Sequence, residues 1–387
     1  MKKKSLVIGG SNGIGLAIGI ELSKICNEVH IVDKVKPELE LPSNVYYFHH
    51  NLIENDFTFL SKYDDINILI ITAGFGRISP FESITEPEIF NCFFVNSIST
   101  ATILNHFFNK MKSAQDFYCA VMGSIAGLVS SPLFALYGST KAAVCKLIES
   151  LNIELEESHT ENRILNVSPG SIKGTKFNGG KNEIELIKYL AQDIISFMMK
   201  REVLFIPEYD SIYKKVLTNY FNNPHNFGIN SYKYKSQSGR LNLKPQVKIG
   251  YLSGTFDMFH IGHLNLIKRA KEFCDYLVVG VHKDASHKNK IAYIPFEERI
   301  AIVKSIKYVD KAIQSEAEDI DIYLKGIVKF DYLFVGSDYK GSERFNRYED
   351  FFKDKNVEII YFPYTINTSS TQLREYISNN SKIQNNE

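Results

Sequence analysis

The sequence predicts two α/β domains in tandem, each built on a doubly wound parallel sheet. Three observations predict this class. At 387 residues the chain is longer than one ordinary core, which makes two domains the expectation. Short apolar runs that read as buried parallel strands alternate with amphipathic helical stretches in both halves. Between the halves lies a polar segment with Gly and Pro, Ser236-Gln-Ser-Gly-Arg-Leu-Asn-Leu-Lys-Pro245. The expected boundaries are a first domain over 1–235, a linker over 236–246, a second domain over 247–378 and a frayed tail over 379–387.

Charge is almost balanced, with 45 basic and 44 acidic residues and a net charge of +1, so neither a nucleic-acid surface nor a membrane surface is expected. The basic start, Met1 to Lys4, precedes an apolar run from Leu6 that breaks at Gly9-Gly10. That run is too short for a signal peptide or a membrane span. Five cysteines, Cys26, Cys92, Cys119, Cys145 and Cys274, are scattered without paired spacing. They read as reduced and structural, in a cytoplasmic protein.

In chain order, Ser5 to Gly10 is a short apolar strand that runs into Gly9-Gly10-Ser11-Asn12-Gly13-Ile14-Gly15 and a helix through Lys24. A glycine-rich turn opening a helix after a strand is the Rossmann-like arrangement that receives a dinucleotide pyrophosphate. A second strand, Glu28 to Val32, ends at Asp33, where an acidic side chain can bind the adenosine ribose hydroxyls. That favours NADH, while neighbouring Lys34 can meet a 2′-phosphate and keeps NADPH open. The buried strand Ile66 to Ile71 ends in Thr72-Ala73-Gly74, and Asn96 lies on the helical segment that follows. Val121 to Gly123 leads to Ser124, and Tyr137-Gly-Ser-Thr-Lys141 begins a helix with Ala142 and Ala143.

A ketone accepting hydride builds charge on its oxygen and needs an acid within hydrogen-bond reach. A phenol with a pKa of about 10 is too weak until a neighbouring cation lowers it. Tyr137 and Lys141, four apart on one helical face, bring an ammonium beside a phenol.

Together these motifs resemble the short-chain dehydrogenase/reductase family: GxxxGIG at Gly9 to Gly15, the AG turn at Gly74, the Asn96, Ser124, Tyr137 and Lys141 tetrad, and Ser168-Pro169-Gly170. The resemblance covers about the first 175 residues. It implies Tyr137 as acid/base, Lys141 also holding the nicotinamide ribose, Ser124 orienting the carbonyl, and Asn96 holding the water of a proton relay. Gly9, Ser11, Asn12, Gly13, Ile14, Gly15, Asp33, Ala73, Gly74, Pro169 and Gly170 would contact the cofactor.

Beyond Thr175 the pattern fades into helical stretches, 183–200 and 212–221, and a short apolar run, Val203 to Ile206. In the family this region is a variable lid over the substrate. Lys173, Lys176, Lys181, Lys200 and Arg201 are candidates to grip a phosphorylated substrate, although most such charges belong to solvated faces. The usual end of the fold is not recognisable, so the domain is expected to be trimmed or completed by a partner subunit.

The second half repeats the alternation: strand Val247 to Leu252, a helix from His263, strand Tyr276 to Val281, helices 296–306 and 319–327, and strands Tyr332 to Val335 and Val357 to Phe362. Between its first strand and helix stands Gly254-Thr255-Phe256-Asp257-Met258-Phe259-His260-Ile261-Gly262-His263. A strand-to-helix turn aims N–H groups and the positive end of a helix dipole at one space, which suits a phosphate chain. His260 and His263, three apart, fall on one side of the first helical turn.

This decamer resembles the GTFDxxHxGH signature of the nucleotidyltransferase superfamily that includes glycerol-3-phosphate cytidylyltransferase. The resemblance implies that the two histidines hold nucleotide phosphates and stabilise charge at the α-phosphoryl group, with no covalent intermediate. Lys288 and Lys290 match a lysine-bearing loop that closes over triphosphate. Gly336-Ser-Asp338-Tyr-Lys-Gly341 resembles a G-D-D-W-x-G turn beside the nucleotide, and Ser369, Ser370 and Thr371 open the last helix. Gly254, Thr255, Phe256 and Gly262 complete the implied nucleotide contacts. No resident metal site is read from the sequence; Mg2+ is implied with CTP, since triphosphate transfer normally needs a hard cation. Two arginines of the glycerol-3-phosphate enzymes are replaced, one by Tyr364 and one by Lys307, so the acceptor is expected to differ.

A carbonyl reductase joined to a phosphate-activating transferase suggests consecutive steps on small-molecule substrates, a ketose phosphate and CTP. The favoured pair is ribulose 5-phosphate reduced to ribitol 5-phosphate and activated as CDP-ribitol, for a capsule or teichoic-acid-like polymer, an analogy rather than a derivation. CDP-glycerol, another CDP-alditol, ATP as nucleotide donor, or one half acting only as a nucleotide-binding module are the competing expectations. Both families commonly form a homo-oligomer, a dimer or larger.

Overall fold

Strand β1 (Lys4–Ile8) has Ser5, Leu6, Val7 and Ile8 buried, as expected for a run with apolar side chains on both faces. It begins the computed structural model's first sheet, and the structure describes residues 3–175, 177, 181–284, 291–315 and 318–363. The chain divides into two units, Met1–Gln246 and Val247–Glu387.

In the first unit β1 is followed by α1 (Gly13–Leu22), β2 (Glu28–Asp33), β3 (Val45–His49), β4 (Ile68–Ile71), α2 (Glu86–Phe93), α3 (Ser99–Met111) and β5 (Tyr118–Met122). Then come α4 (Ala135–Glu157), β6 (Ile164–Val167), α5 (Ile184–Met199), β7 (Leu204–Phe205), α6 (Lys214–Asn222) and α7 (Pro224–Gln237). The strands form one sheet in the order β3-β2-β1-β4-β5-β6-β7, with every pairing parallel. Successive side chains of β1 face opposite layers. Leu6 and Ile8 pack with Ile103, Phe107 and Val144 of α3 and α4, while Val7 packs with Leu16, Ile18 and Ile194 of α1 and α5. Each fully buried aliphatic side chain contributes on the order of 2 kcal/mol. The order reverses between β1 and β4, which opens a crevice at the carboxyl ends of those strands, the usual ligand position in such sheets.

Two expectations are corrected here. The domain is not trimmed: β7 pairs with β6 through Asn166–Leu204 and Val167–Phe205, so this chain supplies its own seventh strand. Two residues are too short a run to read as a strand. The stretch 236–246 is also not a free linker. Its first residues finish α7, and it is then bonded back to the first domain. The Arg77 guanidinium forks onto Glu88 at 2.7 and 2.9 Å, and both side chains are buried. The same guanidinium donates to the Asn242 carbonyl at 2.5 Å, Asn242 N–H donates to the Ile78 carbonyl, and Gln246 N–H donates to Glu88. A buried ion pair must fill its remaining hydrogen-bonding positions, and the segment's backbone supplies the groups.

The second unit runs β8 (Ile249–Gly254), α8 (Ile261–Phe273), β9 (Tyr276–His282), α9 (Phe296–Lys304), β10 (Lys311–Ser315), α10 (Asp319–Leu324), β11 (Tyr332–Gly336), α11 (Glu343–Phe352) and β12 (Glu358–Phe362). Its all-parallel sheet has the order β10-β9-β8-β11-β12. All seven residues of β9 are buried, and Leu252, Val279, Val281 and Phe334 pack with Ile267 and Val303 from the helices. Strand β10 and helix α11 were not expected from sequence. Both carry many polar residues, β10 because it is an edge strand and α11 because only Phe345, Tyr348 and Phe352 are buried.

Candidate active sites

The first site begins at the glycine turn between β1 and α1. Gly9 has φ +86°, and a Cβ there would stand 2.4 Å from the Ala73 nitrogen; a Cβ on Gly15 would stand 2.4 Å from both the Gly9 carbonyl and Thr72 Oγ1. Only glycine lets these backbones meet. Asn12, in extended conformation, precedes α1, whose Gly13 and Gly15 are buried and Ile14 partly so. Asp33, at the end of β2, accepts hydrogen bonds from Ser11 N–H at 3.0 Å and Val35 N–H at 3.2 Å, so the turn and the acidic side chain form one unit. Ser11 Oγ is buried without a hydrogen-bond partner. A glycine cradle, a helix N-terminus and an unanswered hydroxyl suit an anionic diphosphate, which would be held by the turn residues with Asp33 beside its ribose. Gly13 N–H meanwhile donates to Asn182 Oδ1 at 2.7 Å, a contact with no signal in the sequence.

Across the crevice, α2 passes into α3 through a π turn over Phe94–Ile98 that carries Asn96. Such turns displace one residue from the helical ladder and recur at functional positions. The fully buried Asn96 amide accepts from Phe75 N–H at 3.0 Å and donates to the Phe75 carbonyl at 2.9 Å and to Thr140 Oγ1 at 3.0 Å. It therefore joins the loop after Gly74 to α4, one residue from Lys141. A Cβ on Gly74 would lie 3.1 Å from Asn96 Oδ1 and 3.3 Å from Lys141 Nζ, so Ala73-Gly74 leaves the space in which these groups meet.

Ser124, after β5, receives Ala126 N–H at 3.2 Å, faces the Pro169 carbonyl at 3.5 Å and stands near enough to the Tyr137 phenol to act on its acidity. Lys141 is buried, donates to the Met122 carbonyl at 2.8 Å, and holds its Nζ 5.7 Å from the centre of the Tyr137 ring. Burial pulls this amine down to about 8. Burial also pushes the Tyr137 phenol up, partly offset by the neighbouring Ser124 hydroxyl. The expectation of a phenol lowered by its neighbouring cation is therefore corrected: desolvation sets the direction, and the ammonium is turned toward the Met122 carbonyl.

The Tyr137 ring stacks on Phe134 at 4.3 Å and approaches Phe177 at 5.2 Å, an apolar wall. The Pro169 carbonyl accepts Ile125 N–H at 3.0 Å, and Gly170 lies directly under Tyr213, whose hydroxyl occupies the place a Cβ would take. Tyr213 lies in the variable region and was not singled out from sequence. Of the cations proposed to grip phosphate, Arg201 bonds Asp116 and Asn162, and Lys200 lies over Phe197. Both are near the amino ends of β5, β6 and β7, away from Ser124. Lys173 and Lys181 are exposed, and Lys176 lies outside the described residues.

In the second unit the decamer turns sharply from β8 into α8. Phe256 and Met258 have φ +53° and +49°, a left-handed conformation that costs non-glycine residues on the order of 1 kcal/mol each. Two buried charged groups lock it. Asp257 accepts from Tyr293 N–H at 3.1 Å and Ile294 N–H at 3.0 Å. Arg299, 1% exposed, donates to the carbonyls of Thr255, His282, Lys283 and Ile294 at 2.5, 2.8, 2.8 and 2.8 Å. One guanidinium thus fastens the motif, the end of β9 and the segment leading into α9.

His260 caps α8, its Nδ1 accepting Gly262 N–H at 3.1 Å, which leaves Nε2 to carry the proton of a neutral ring. Burial pushes its pKa down. The rings of His260 and His263 stack at 3.9 Å, and His263 also meets Phe256 edge-on at 5.3 Å. Thr255 Oγ1 is buried without a hydrogen-bond partner, and Gly254 packs under the Phe256 ring. Asp338 follows β11, the strand beside β8, with its carboxylate folded against Gly336. Two stacked imidazoles at a helix N-terminus present donors to a polyphosphate. Lys288, Lys290, Ser369, Ser370 and Thr371 lie outside the described residues. Among the described residues no group of three or more His, Cys, Asp or Glu side chains is placed to hold a metal, and no helix is long and apolar enough to cross a membrane.

Comparison with known proteins separates the same two units. Residues 3–185 match the short chain dehydrogenase family and residues 251–376 the cytidylyltransferase-like family. The second unit is 38% identical over 130 residues to a glycerol-3-phosphate cytidylyltransferase of Bacillus subtilis, covering 32% of this chain and 93% of that protein. The first is 25% identical over 223 residues to an uncharacterized oxidoreductase of Saccharomyces cerevisiae, covering 54% of this chain and 71% of that protein. Among solved structures, a short-chain dehydrogenase from Streptomyces avermitilis is 19% identical, with a TM-score of 0.49 over 61% of this chain and 98% of that one. The chain belongs to the cytidylyltransferase family through its second domain, joins it to a short-chain dehydrogenase domain, and is an enzyme with an oxidoreductase half and a nucleotidyltransferase half.

Proposed function

We propose that the chain reduces a ketose phosphate with NADPH or NADH at the first site and couples the resulting alditol phosphate to CTP at the second, giving a CDP-alditol and pyrophosphate. The observation that carries this reading is the Ser124, Tyr137 and Lys141 group in one unit together with the stacked His260 and His263 in the other, each at the carboxyl ends of its own sheet. When bound, the nicotinamide supplies the hydride. Gly9, Ser11, Asn12, Gly13, Ile14, Gly15, Asp33, Ala73, Gly74, Pro169 and Gly170 hold the dinucleotide. Ser124 and Tyr137 donate to the carbonyl oxygen, and Tyr137 gives that oxygen its proton as it becomes a hydroxyl. Burial makes the phenol a weaker acid than a free one, but a developing alkoxide is more basic still, so the proton transfer remains downhill. Lys141 orients the site, and Asn96 keeps the π turn in register with α4.

At the second site an oxygen of the alditol phosphate forms a bond to the α-phosphorus of CTP while the bond to the pyrophosphate oxygen breaks. His260, His263 and the N-terminus of α8 stabilise the charge that develops. Mg2+ enters with CTP as part of the substrate. Gly254, Thr255, Phe256, Gly262, Lys288, Lys290, Asp338, Ser369, Ser370 and Thr371 complete the nucleotide contacts.

The favoured substrates are ribulose 5-phosphate and ribitol 5-phosphate, for a surface polysaccharide built from CDP-ribitol, with the enzyme cytoplasmic and a dimer or tetramer. A second reading has a specific observation behind it: the Bacillus subtilis relative is named for glycerol 3-phosphate, which would make dihydroxyacetone phosphate the ketose. The test is to separate the halves. Tyr137→Phe is expected to abolish NAD(P)H oxidation and spare pyrophosphate release from CTP and an alditol phosphate, and His260→Ala to do the reverse. Loss of both activities in either variant would contradict independent halves.

A further inference from the structure

Around the loops near the reductase residues stand two cations that no carboxylate among the described residues answers. Lys235, in the last turn of α7, donates from Nζ to Ser131 Oγ at 2.8 Å and Ser231 Oγ at 2.9 Å. Arg240 donates from Nη1 to Ser171 Oγ at 3.3 Å and lies over the Tyr234 ring at 5.6 Å. Ser131 belongs to the loop between Ser124 and Tyr137, and Ser171 follows Gly170. The cations therefore reach the loop after β5, which runs from Ser124 to the start of α4 and Tyr137, and the loop after β6, which carries Pro169 and Gly170. Both side chains are partly buried, and neither has an Asp or Glu partner among the described residues. Several other cations of this domain are paired, Lys4 with Asp65, Arg77 with Glu88 and Arg201 with Asp116, while the buried Lys141 and the partly buried Arg163 donate to backbone carbonyls instead of to serine hydroxyls. Burial, with the like charge of Arg240, pulls the Lys235 ammonium down to about 8, as expected where positive groups gather without a counter-charge.

The segment bearing Arg240 is built in place. Asn242, two residues on, is fixed by the buried Arg77 guanidinium and by Ile78, so Arg240 is presented from a fastened strap. The position also excludes the adenosine end of the cofactor. Asp33 closes β2, and three strand spacings, roughly 14 Å, separate β2 from β5.

We propose that Lys235 and Arg240 form the subsite for the phosphate group of the reductase substrate, an inference that rests on the ketose-phosphate reading above. A phosphomonoester there receives charge-assisted hydrogen bonds from the guanidinium fork and the ammonium, with the Ser131 and Ser171 hydroxyls beside them. Phosphate recognition in this enzyme thus comes from the stretch joining the two domains.

The experiment is steady-state reduction of ribulose 5-phosphate and of ribulose by the full chain, as wild type, Lys235→Met, Arg240→Met and Lys235→Arg, with cofactor Kd as a control for folding. Each Met variant is expected to lower kcat/KM for the phosphate ester by roughly tenfold to a hundredfold, mostly through KM. Turnover of ribulose is expected to be unchanged, and Lys235→Arg to recover most of the loss. Inorganic phosphate is expected to compete with ribulose 5-phosphate in the wild type. A wild-type preference for the phosphate ester that persists in both Met variants, or no competition by phosphate, overturns the subsite alone. Equal turnover of both ketoses by the wild type, or no turnover of ribulose 5-phosphate or dihydroxyacetone phosphate, overturns the ketose-phosphate reading and the subsite with it.

Discussion

Replacing Lys141 with Met is expected to stabilise the first domain while abolishing reduction. The amine is buried, its pKa drawn from 10.5 down to about 8 by desolvation, and its hydrogen bond in the structure goes to the Met122 carbonyl at 2.8 Å. At about 1.4 kcal/mol per pH unit, keeping that proton in the folded protein at pH 7 costs on the order of 3 kcal/mol. Methionine keeps most of the apolar stem and removes the charge. Leaving the Met122 carbonyl without a donor costs about 1 kcal/mol. The net gain at pH 7 is therefore about 2 kcal/mol.

The pH dependence fixes the cause. Below pH 8 the amine is charged in both folded and unfolded chains, and the full burial penalty is present. Between pH 8 and 10.5 the folded protein has released the proton and the unfolded chain still holds it, so the penalty fades as pH rises. The advantage of Lys141→Met should shrink across that window and be gone above it. Urea denaturation of both proteins, followed at pH 7, 8, 9 and 10, measures the difference. A variant less stable than wild type at pH 7, or an advantage that does not change between pH 8 and 10, would refute the reasoning.

Three further outcomes follow from other buried groups. Arg299→Lys can satisfy no more than three of the four carbonyls and loses the planar fork, so the second unit should lose roughly 2–4 kcal/mol in chemical denaturation, with cytidylyl transfer falling while reduction is unchanged. Arg77→Met strands the buried Glu88 carboxylate and frees the Asn242 carbonyl; a loss of roughly 3–5 kcal/mol is expected, with faster proteolysis near residue 242. Gly15→Ala places a methyl 2.4 Å from the Gly9 carbonyl, and should weaken NAD(P)H binding in a fluorescence titration without changing pyrophosphate release.

Both parallel sheets were legible because their inner strands are apolar runs. Gly9 and Gly15 announce the first functional turn because only glycine fits where the backbones meet, and the decamer at Gly254 announces the second through its ten-residue pattern. What escaped has physical causes. Strand β10 lies at a sheet edge, so Lys311 and Gln314 break the apolar pattern. Arg299 reads as one more surface charge beside Glu297 and Glu298, and only the fold shows it buried on four carbonyls. The strap at 242–246 depends on an ion pair whose partners are remote in sequence, and backbone hydrogen bonds to it leave no trace in composition. The direction of the Tyr137 shift was misread because spacing shows a nearby cation and says nothing of how much water is removed.

The most direct measurement of the central proposal is pyrophosphate release by the purified full chain with CTP, Mg2+ and ribulose 5-phosphate, with and without NADPH or NADH. Release only when the reduced cofactor is present is the predicted result, since the alditol phosphate must be made before it can be activated. Release that is independent of the cofactor would contradict two steps in series, and no release with either ribulose 5-phosphate or dihydroxyacetone phosphate would contradict the ketose-phosphate substrate class.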